Sequence, residues 1–329
     1  MIVPAPLSPL DLQDIQDAAD RIAGTAVRTP LLRLSTDTGT HNETEIWLKL
    51  ESLQPIGSFK LRGALSAVRA LPPSDLAAGV HTTSAGNFAQ GLAWAAREAG
   101  VPCAIFAPDH APATKIEAIR RLGAEVTLVP FAQWWHWLQQ HQVDGAAGTY
   151  VHPGADRRVM AGNATIGREI LADLPDTDAI LVPYGSGGLA CGIACAVRLL
   201  RPTARIFPVE RTGVAPYGAA RAAGRPVTIP YTPSFIDGMG GTTVLPEMFP
   251  LAQHLLAESL DVTIDEVASA VRWLAERNRI VAEGAGAAPV AAALRHARAI
   301  GVRRLVCVVS GGNIDTPTLA TILAGTTPS

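Results

Sequence analysis

The chain has 329 residues, with 27 Lys and Arg against 29 Asp and Glu, which gives a formal net charge of −2. This near-neutral balance lacks the basic surface that binding to nucleic acid or to an anionic membrane requires. Apolar residues make up 48% and charged residues 17%, so the chain can bury enough surface to fold, which excludes a disordered protein. At roughly 150 residues per domain, the length suggests about two domains.

The cysteine pattern and the apolar runs give the expected compartment. Cys103, Cys191, Cys195 and Cys307 form no CxxC pair and no disulfide framework. Cys191 and Cys195 have no His or carboxylate cluster nearby, so we interpret them as buried apolar side chains rather than metal ligands. The apolar runs are far shorter than the roughly 20 residues that a membrane span needs. We therefore expect a cytoplasmic protein with no metal, no nucleic-acid partner and no membrane partner.

From residue 45 onward, short apolar runs alternate with stretches of helical periodicity. The pattern predicts strands at 45–50, 80–83, 103–107, 126–129, 179–183, 205–209 and 304–309. It predicts helices at 59–71, 87–99, 113–122, 159–171, 189–200, 263–278 and 286–299. This alternation is typical of parallel sheets covered by helices, so we expect an α/β fold.

Small and polar residues follow four of the predicted strands. These segments are residues 84–87 (SAGN), 108–110 (PDH), 185–188 (GSGG) and 310–313 (SGGN). Ligands of parallel sheets bind beyond the carboxyl ends of the strands, so we expect the site to be built from these segments. The cluster at 134–137 (WWHW) is aromatic, and we interpret it as packing at a domain or subunit contact.

The glycine loop at 185–189 lies between a predicted strand and a predicted helix, where backbone N–H groups can converge on an anion. Two cofactors fit this loop. Gly185, Gly187 and Ala190 match the dinucleotide motif G-x-G-x-x-A, and Glu210 closes the next strand, where an acidic residue would bind a ribose. An NAD-dependent dehydrogenase is therefore one alternative. The other is a cofactor with a single phosphate monoester, for which one turn of amides suffices.

Lys60 lies in the first turn of the predicted helix 59–71, after a helix cap at Gly57 and Ser58. Its neighbours are apolar and small, and the positive end of a helix disfavours a cation at this position. Both effects favour the neutral amine, which is the form that Schiff-base chemistry requires.

Five motifs follow one another along the chain, and they include the Lys60 segment and the glycine loop. They are residues 52–65 (SLQPIGSFKLRGAL), 83–91 (TSAGNFAQG), 111–126 (APATKIEAIRRLGAEV), 185–189 (GSGGL) and 308–313 (VVSGGN). Together they resemble the threonine and serine dehydratases, which are pyridoxal-phosphate (PLP) enzymes of the tryptophan synthase β-like fold, or fold type II. The resemblance covers nearly the whole chain from about residue 25. It implies two parallel-sheet domains with PLP in the cleft between them. We expect a large domain at 1–78 and 153–329 and a small domain at 79–152 inserted in it.

The resemblance also implies roles for individual residues. Lys60 would form the Schiff base with PLP, Phe59 would pack near the ring, and Ser310 would face the pyridine nitrogen. The PLP phosphate would be bound by Gly185, Ser186, Gly187, Gly188 and Leu189. Asn87 would hydrogen-bond the 3′-oxygen of the ring, and the substrate carboxylate would be bound by Ser84, Ala85, Gly86 and Asn87.

The implied activity is β-elimination of a β-hydroxy-amino acid such as threonine or serine to a 2-oxo acid and ammonia, with Lys60 as the base. The Ser310 hydroxyl is a weak partner for the ring nitrogen, which suits elimination better than transamination. An amino-acid racemase or a β-replacement enzyme on the same scaffold is the nearest alternative. We expect a homodimer or a higher homo-oligomer.

The sequence departs from the family pattern at several positions. Residue 85 is Ala, whereas the related serine racemases carry a second Ser there, so proton transfer from both faces is not expected. Glu210 is followed by no second carboxylate up to Pro216, so the divalent-metal site of those racemases is not expected either. Phe88 replaces the usual His, which predicts an unusual side-chain pocket. Glu283 lies in an atypical segment that we place near the ring.

Overall fold

Two sheets organise the chain in a computed structural model that describes residues 5–35 and 44–328. The strands are β1 (Leu31–Arg33), β2 (Glu45–Leu50), β3 (Val80–Thr83), β4 (Cys103–Pro108), β5 (Glu125–Val129), β6 (Thr149–Tyr150), β7 (Ala179–Pro183), β8 (Arg205–Arg211), β9 (Leu260–Val262) and β10 (Arg304–Val309). One sheet has the order β1-β2-β10-β7-β8-β9 and the other has the order β5-β4-β3-β6. Within the described residues, β1 is the one strand that pairs antiparallel with its neighbour.

Helices cover the two sheets. They are α1 (Leu12–Ile22), α2 (Lys60–Arg69), α3 (Pro73–Leu76), α4 (Asn87–Ala99), α5 (Ala113–Arg121), α6 (Phe131–Gln140), α7 (Arg157–Asp173), α8 (Gly188–Leu200), α9 (Pro216–Ala223), α10 (Phe249–Leu255), α11 (Ile264–Trp273), α12 (Gly284–Ile300) and α13 (Thr316–Leu323). Short helical turns add Glu51–Leu53 and a π-turn at Leu274–Asn278. None of the helices in the described ranges is both long enough and apolar enough to cross a membrane.

The larger sheet is buried on both faces, as its apolar strands require. Along β10, Val306 and Val308 pack into a core with α1, α7 and α8. The alternate residues Leu305, Cys307 and Val309 pack into a second core with α11 and α12. Because successive side chains of a strand point to opposite faces, this one strand joins the two cores.

The predicted α/β fold is confirmed, and the predicted strands lie within two residues of the observed ones. The predicted helix 263–278 is α11 followed by the π-turn. Short elements were missed, among them α9, α10, α13, β1, β6 and β9. α1 was missed as well, although it has eleven residues and a capping box between Asp11 and Asp14.

All strands of the smaller sheet lie between residues 80 and 150, inside the predicted small domain. The core beside this sheet, however, combines Val80 and Phe88 of the predicted small domain with Leu61 and Leu65 of α2, which belong to the predicted large domain. The boundaries 1–78, 79–152 and 153–329 stay a prediction, and residues 1–4, 36–43 and 329 of the large domain lie outside the described residues.

Strand register brings the predicted site segments together. Leu50 at the end of β2 is paired with Val309 at the end of β10, and Cys307 of β10 is paired with Leu181 of β7. An isolated bridge between Ser58 and Gly311 then joins the segment before α2 to the segment after β10. The start of α2 therefore lies at the carboxyl edge of the larger sheet, where ligands of such sheets bind.

Candidate active site

A cleft of about 670 Å³ is lined by residues from the carboxyl ends of strands in both sheets. The predicted site residues that line it are Phe59, Lys60, Ser84, Ala85, Gly86, Asn87, Gly185, Ser186, Gly187, Leu189 and Ser310. Gly188 is the predicted residue that does not line the cleft, because it faces Gly154: a Cβ on Gly188 would lie 2.6 Å from the Gly154 carbonyl oxygen. Residues separated by up to 251 positions in the chain thus share one cavity.

Lys60 is the first residue of α2, and the residue before the helix is Phe59, which offers no side-chain cap. The Lys60 Nζ donates to the Pro153 carbonyl at 3.3 Å and lies 5.0 Å from the ring centroid of Phe59 and 5.6 Å from that of Phe88. Burial lowers the pKa of Lys60 to about 8, partly opposed by the negative charge of Glu283. Burial is thus the main cause of the neutral amine that the sequence predicts, and with this pKa about a tenth of the amine is uncharged at pH 7 and about half at pH 8.

The glycine loop between β7 and α8 presents free backbone donors. Gly187 has φ +91°, and a Cβ there would lie 2.6 Å from Met248 Cγ, so the loop conformation requires glycine. Within the described residues, no protein acceptor pairs with the backbone N–H groups of residues 185–189, and α8 has no side-chain cap. Unpaired donors at a helix N-terminus form a site for an anion such as a phosphate.

A second uncapped helix start faces the same cleft. α4 begins at Asn87 after Gly86, and no side chain caps it. The backbone N–H groups of residues 87–89 have no protein acceptor in the described part of the chain. The cleft therefore has donors for two separate anions, which fits the two anionic groups expected there, the cofactor phosphate and a substrate carboxylate.

The Asn87 side chain is held by two partners that come from distant parts of the chain. Its Nδ2 donates to both carboxylate oxygens of Glu283, at 2.8 and 3.1 Å. Its Oδ1 accepts from Asn313 Nδ2 at 2.8 Å, and the same Asn313 amide donates to the Ile56 carbonyl at 2.8 Å. Asn313 therefore fixes which end of the Asn87 amide faces Glu283.

Glu283 is buried and lines the same cleft as Lys60, while its place near a cofactor ring stays a prediction. Burial raises the pKa of Glu283 to about 7, although the hydrogen bond from Asn87 acts in the opposite direction. Its backbone N–H donates to the Gly311 carbonyl at 3.0 Å. A carboxyl group with this pKa is partly protonated near neutral pH and places less than a full negative charge beside a cofactor ring.

These residues fit the cofactor that the sequence resemblance implies. A buried amine with a lowered pKa is suited to bond an aldehyde, the amides of residues 185–189 are suited to a phosphate, and Ser310 lies in the same cleft at the end of β10. Ser310 is 2% exposed, and its carbonyl accepts from the Phe59 N–H at 3.0 Å. This hydrogen bond joins the segment that carries Lys60 to the segment that carries Ser310, so each segment holds the other in position.

Two features of the cleft were missed or interpreted differently from sequence. Phe131, Trp134 and Trp135 at the start of α6 line the cleft, whereas Trp137 is buried and packs on Phe106 with a centroid distance of 5.5 Å. Packing therefore accounts for Trp137 fully and for Trp134 in part, because Trp134 lines the cleft and also packs against the core that contains Trp137. The spacing i, i+3, i+4 of the three cleft residues was the signal that one face of a helix carries them.

An ion pair crosses the mouth of the cleft. Lys115 of α5 bonds Asp237, which lies in the irregular segment between α9 and α10. Both residues line the cleft. Lys115 belongs to the segment 111–126 that carries the family resemblance, but no local pattern could reveal a partner 122 positions away.

The geometry at Glu210 disfavours the dehydrogenase alternative. Its carboxylate accepts from the backbone N–H groups of Tyr217 and Gly218 at 2.8 and 2.9 Å, and from Ser259 Oγ at 2.6 Å. Burial raises the pKa of this carboxyl group. Because both oxygens are used to hold the start of α9, Glu210 is not available for a ribose.

His141, His152 and Glu247 form a cluster that sequence spacing did not reveal, with ligand atoms within 4.8 Å of one another. His141 Nε2 lies 2.8 Å from Glu247 Oε1. His152 Nδ1, however, accepts from the backbone N–H groups of Gly154 and Ala155 at 3.0 and 2.7 Å. The neutral His152 ring therefore carries its proton on Nε2. Its one ring lone pair, on Nδ1, is already used by the two backbone N–H groups and is not available to a metal ion. Since burial also lowers the pKa of His152 well below its ordinary value, we interpret His152 as a support for the loop after Pro153.

Comparison with known proteins shows the family of this chain. A family model described as "Pyridoxal-phosphate dependent enzyme" matches residues 22–311. The L-threonine ammonia-lyase of Geobacter sulfurreducens is 40% identical over 316 residues, which cover 94% of this chain and 77% of that protein.

Solved structures are similar over nearly the whole chain. Maize serine racemase has a TM-score of 0.88 and 28% identity, and the match covers 97% of this chain and 98% of that one. The processed form of threonine deaminase isoform 2 from Solanum lycopersicum has a TM-score of 0.86 and 30% identity, with 99% and 92% covered. These likenesses confirm the predicted tryptophan synthase β-like fold. The chain belongs to the family of pyridoxal-phosphate dependent enzymes.

Proposed function

We propose that this chain is a PLP-dependent ammonia-lyase that converts a β-hydroxy-amino acid to a 2-oxo acid and ammonia. The observation that carries the proposal is the buried Lys60 amine, whose pKa of about 8 leaves it partly neutral, in one cleft with two uncapped helix starts. The relatives named L-threonine ammonia-lyase, at 40% and 37% identity, support this reaction class.

Each part of the cleft has a distinct role in this proposal. The amides of residues 185–189 bind the PLP phosphate, and those at the start of α4 bind the substrate carboxylate. Bound PLP supplies the electron sink that makes the substrate Cα–H acidic. The neutral Lys60 amine then accepts the Cα proton, because a base with a pKa near the working pH transfers protons efficiently. Asn87 and Ser310 orient the cofactor ring, and Phe59 packs beside it.

The test combines a spectrum with an assay for 2-oxo acid. The purified protein should bind PLP in a form that borohydride fixes to the chain, and Lys60→Ala should abolish this fixation and all turnover. L-Threonine or L-serine, or a related 3-hydroxy-amino acid, should give 2-oxo acid and ammonia. Full activity of Lys60→Ala, or PLP-loaded protein that turns over no 3-hydroxy-amino acid, would refute the proposal.

A racemase is the second candidate, since maize serine racemase has the same fold over the whole chain. Residue 85 argues against it, because Ala85 lines the cleft but has no group that can donate a proton to the second face. A chiral assay decides the matter: D-isomer without 2-oxo acid supports the racemase. A β-replacement enzyme would need a second nucleophilic substrate to form product.

We further propose that the enzyme acts on small-molecule amino acids in the cytoplasm and works as a homodimer or a higher homo-oligomer. Both the compartment and the assembly are predictions from the sequence. Light scattering of the purified PLP-loaded protein measures the assembly directly, and a monomeric mass would overturn that part of the proposal.

A further inference from the structure

The cleft carries an aromatic wall, which we define as Phe131, Trp134 and Trp135. These residues lie at positions i, i+3 and i+4 of α6, so they share one helix face. Phe131 is stacked with both tryptophans: its ring lies 5.7 Å from Trp134 at 29° and 6.4 Å from Trp135 at 13°, measured between centroids and planes. The two tryptophan rings lie 6.2 Å apart and are tilted by 35°. All three line the cleft that contains Lys60.

The aromatic wall is placed by the topology of the smaller sheet. α6 begins directly after β5, so its first turn lies at the carboxyl end of that strand. The carboxyl ends of β3, β4 and β5 meet at the same edge, and the start of α4 after β3 is the proposed carboxylate site. The wall therefore lies along the same edge as the atoms that would hold the substrate backbone.

The charges in the cleft disfavour an ionic side chain on the substrate. Among the described residues that line the cleft, the carboxylates are Asp237, paired with Lys115, and Glu283, bonded to Asn87. The remaining lysine is Lys60, which the proposed function assigns to PLP, and the His110 ring in the lining is largely exposed to solvent. An acidic or basic substrate side chain would therefore have to displace an existing partner or remain in water.

The shallow angles between the rings, 13° to 35°, distinguish a flat aromatic ligand from an ammonium ligand. A cage for an ammonium group surrounds it with ring faces at large angles to one another, whereas offset-parallel rings present one flat surface. Phe131 is 50% exposed and adds an open ring to this surface. Phe88, which is buried within 5.6 Å of the Lys60 Nζ, makes the inner part of the cleft apolar as well.

We infer that the enzyme is selective for 3-hydroxy-amino acids with an aromatic group on Cβ, of which 3-phenylserine is the simplest, and that the aromatic wall stacks on this group. The inference rests on the proposed function. In the reaction the Cα–H and Cβ–O bonds break and a Cα=Cβ double bond forms. Lys60 accepts the Cα proton, and the hydroxyl takes up one proton as it leaves as water, so the number of protons is unchanged. Hydrolysis of the resulting enamine takes up one water, so the net products are phenylpyruvate and ammonia.

The experiment measures kcat/KM of the PLP-loaded enzyme for L-threo-3-phenylserine, L-threonine and L-serine. We expect 3-phenylserine to exceed L-threonine by about tenfold, the ratio that one good aromatic stacking contact provides. Trp135→Ala should lower kcat/KM for 3-phenylserine about tenfold and change that for L-threonine less than about twofold, and Trp135→Phe should retain most of the preference. Gln139→Ala, on an exposed position of the same helix, is the matched control and should change neither value.

The outcomes separate the two levels of inference. Turnover of L-threonine or L-serine without a preference for 3-phenylserine overturns the aromatic selectivity and leaves the lyase intact. A preference that survives Trp135→Ala overturns the role of the wall. If Trp135→Ala changes the molar mass in light scattering and lowers all three kcat/KM values equally, the wall is a subunit contact and the inference is wrong. If PLP-loaded enzyme forms no 2-oxo acid from any of the three, the proposed function fails first.

Discussion

The charge state of Lys60 depends on two opposing effects within the cleft. Burial lowers the pKa of Lys60 to about 8, and the nearby Glu283 acts to raise it. Only the neutral amine can attack the aldehyde of PLP, so apoenzyme should take up PLP faster as the pH rises, with a midpoint near pH 8. Removing the Glu283 charge removes the effect that favours the ammonium form. Glu283→Gln should therefore shift this midpoint to lower pH.

Stopped-flow absorbance of apoenzyme mixed with PLP between pH 6 and 10 gives the rate of PLP uptake at each pH. The midpoint of this rate against pH does not depend on how much PLP is finally bound. Glu276→Gln is the control, because Glu276 is a half-exposed acid on the surface, paired with Arg272. A midpoint that is unchanged or higher in Glu283→Gln would show that this carboxyl group does not set the pKa of Lys60.

Asn313 is expected to act through Asn87 as a positioning residue. Its amide donates to Asn87 Oδ1, which leaves Asn87 Nδ2 directed at Glu283. We expect Asn313→Ala to lower kcat/KM about tenfold, the cost of one misplaced buried hydrogen bond. In a double-mutant cycle, Asn313→Ala should add little in an Asn87→Ala background, since both changes disrupt one interaction. Additive losses, with equal effects on thermal unfolding, would mean that Asn313 has only a structural role.

The site residues differ in how far sequence could predict them. Residues 84–87 and 185–189 follow strands with clear apolar patterns, so their position at a sheet edge could be argued before any coordinates were known. The bond between Asn87 and Asn313 joins residues 226 positions apart, and the His152 contacts depend on a loop conformation. Neither leaves a periodic signal in the chain, because tertiary packing alone creates them.

At the scale of elements, α2 is anchored by a buried charge network that lies behind Lys60. The Arg62 guanidinium bonds both oxygens of Glu51 at 2.8 and 2.9 Å and reaches Glu169 of α7 at 2.6 Å. Lys49 of β2 also bonds Glu169, at 2.6 Å. Arg62, Glu51 and Lys49 are at most 1% exposed, so the network ties β2, α2 and α7 together inside the protein.

Breaking this network should cost far more than breaking a surface ion pair on the same helix. Arg62→Leu leaves Glu51 buried without its cation, and we expect the free energy of unfolding to fall by about 3–5 kcal/mol. Glu98→Gln is the control, because it removes only the charge of the surface pair between Glu98 and Arg69 of α2, and this loss should cost less than about 1 kcal/mol. Urea unfolding at a fixed PLP concentration measures both variants. Equal losses would mean that the buried network adds nothing specific to the anchoring of α2.

Local sequence signals explain why α11 was predicted and why the shortest strands were not, whereas α1 was missed despite a capping box of its own. α11 begins with a capping box between Thr263 and Glu266 and carries a regular apolar face, and the sequence placed its start within one residue. β6 and β9 have two and three residues, too few for a period to be recognised, and they exist only because a neighbouring strand pairs with them.

At the scale of the whole molecule, the cleft lies between the two sheets and is crossed by the ion pair of Lys115 and Asp237. Lys115 belongs to a helix of the smaller sheet, while Asp237 lies in the irregular segment 224–248, part of which runs along the cleft. That segment is also held by the Gly240 N–H, which donates to the Tyr184 carbonyl at 2.9 Å beside the glycine loop. The pair therefore ties the smaller sheet to a strap on the other side of the cleft.

Asp237 is 51% exposed, so the pair is screened by solvent and is worth at most about 1 kcal/mol. That energy corresponds to up to about a fivefold change in the fraction of closed cleft, and closure affects substrate retention more than chemistry. Asp237→Asn should thus raise KM by up to about fivefold and leave kcat within about twofold.

Salt should raise the KM of the wild-type enzyme toward that of the variant, while the variant itself responds little, because screening weakens only an existing pair. Glu276→Gln, which breaks a surface pair between α11 and the π-turn that follows it, should keep the wild-type salt response. If salt affects the KM of all three proteins equally, the salt response belongs to substrate binding itself and not to the ion pair across the cleft.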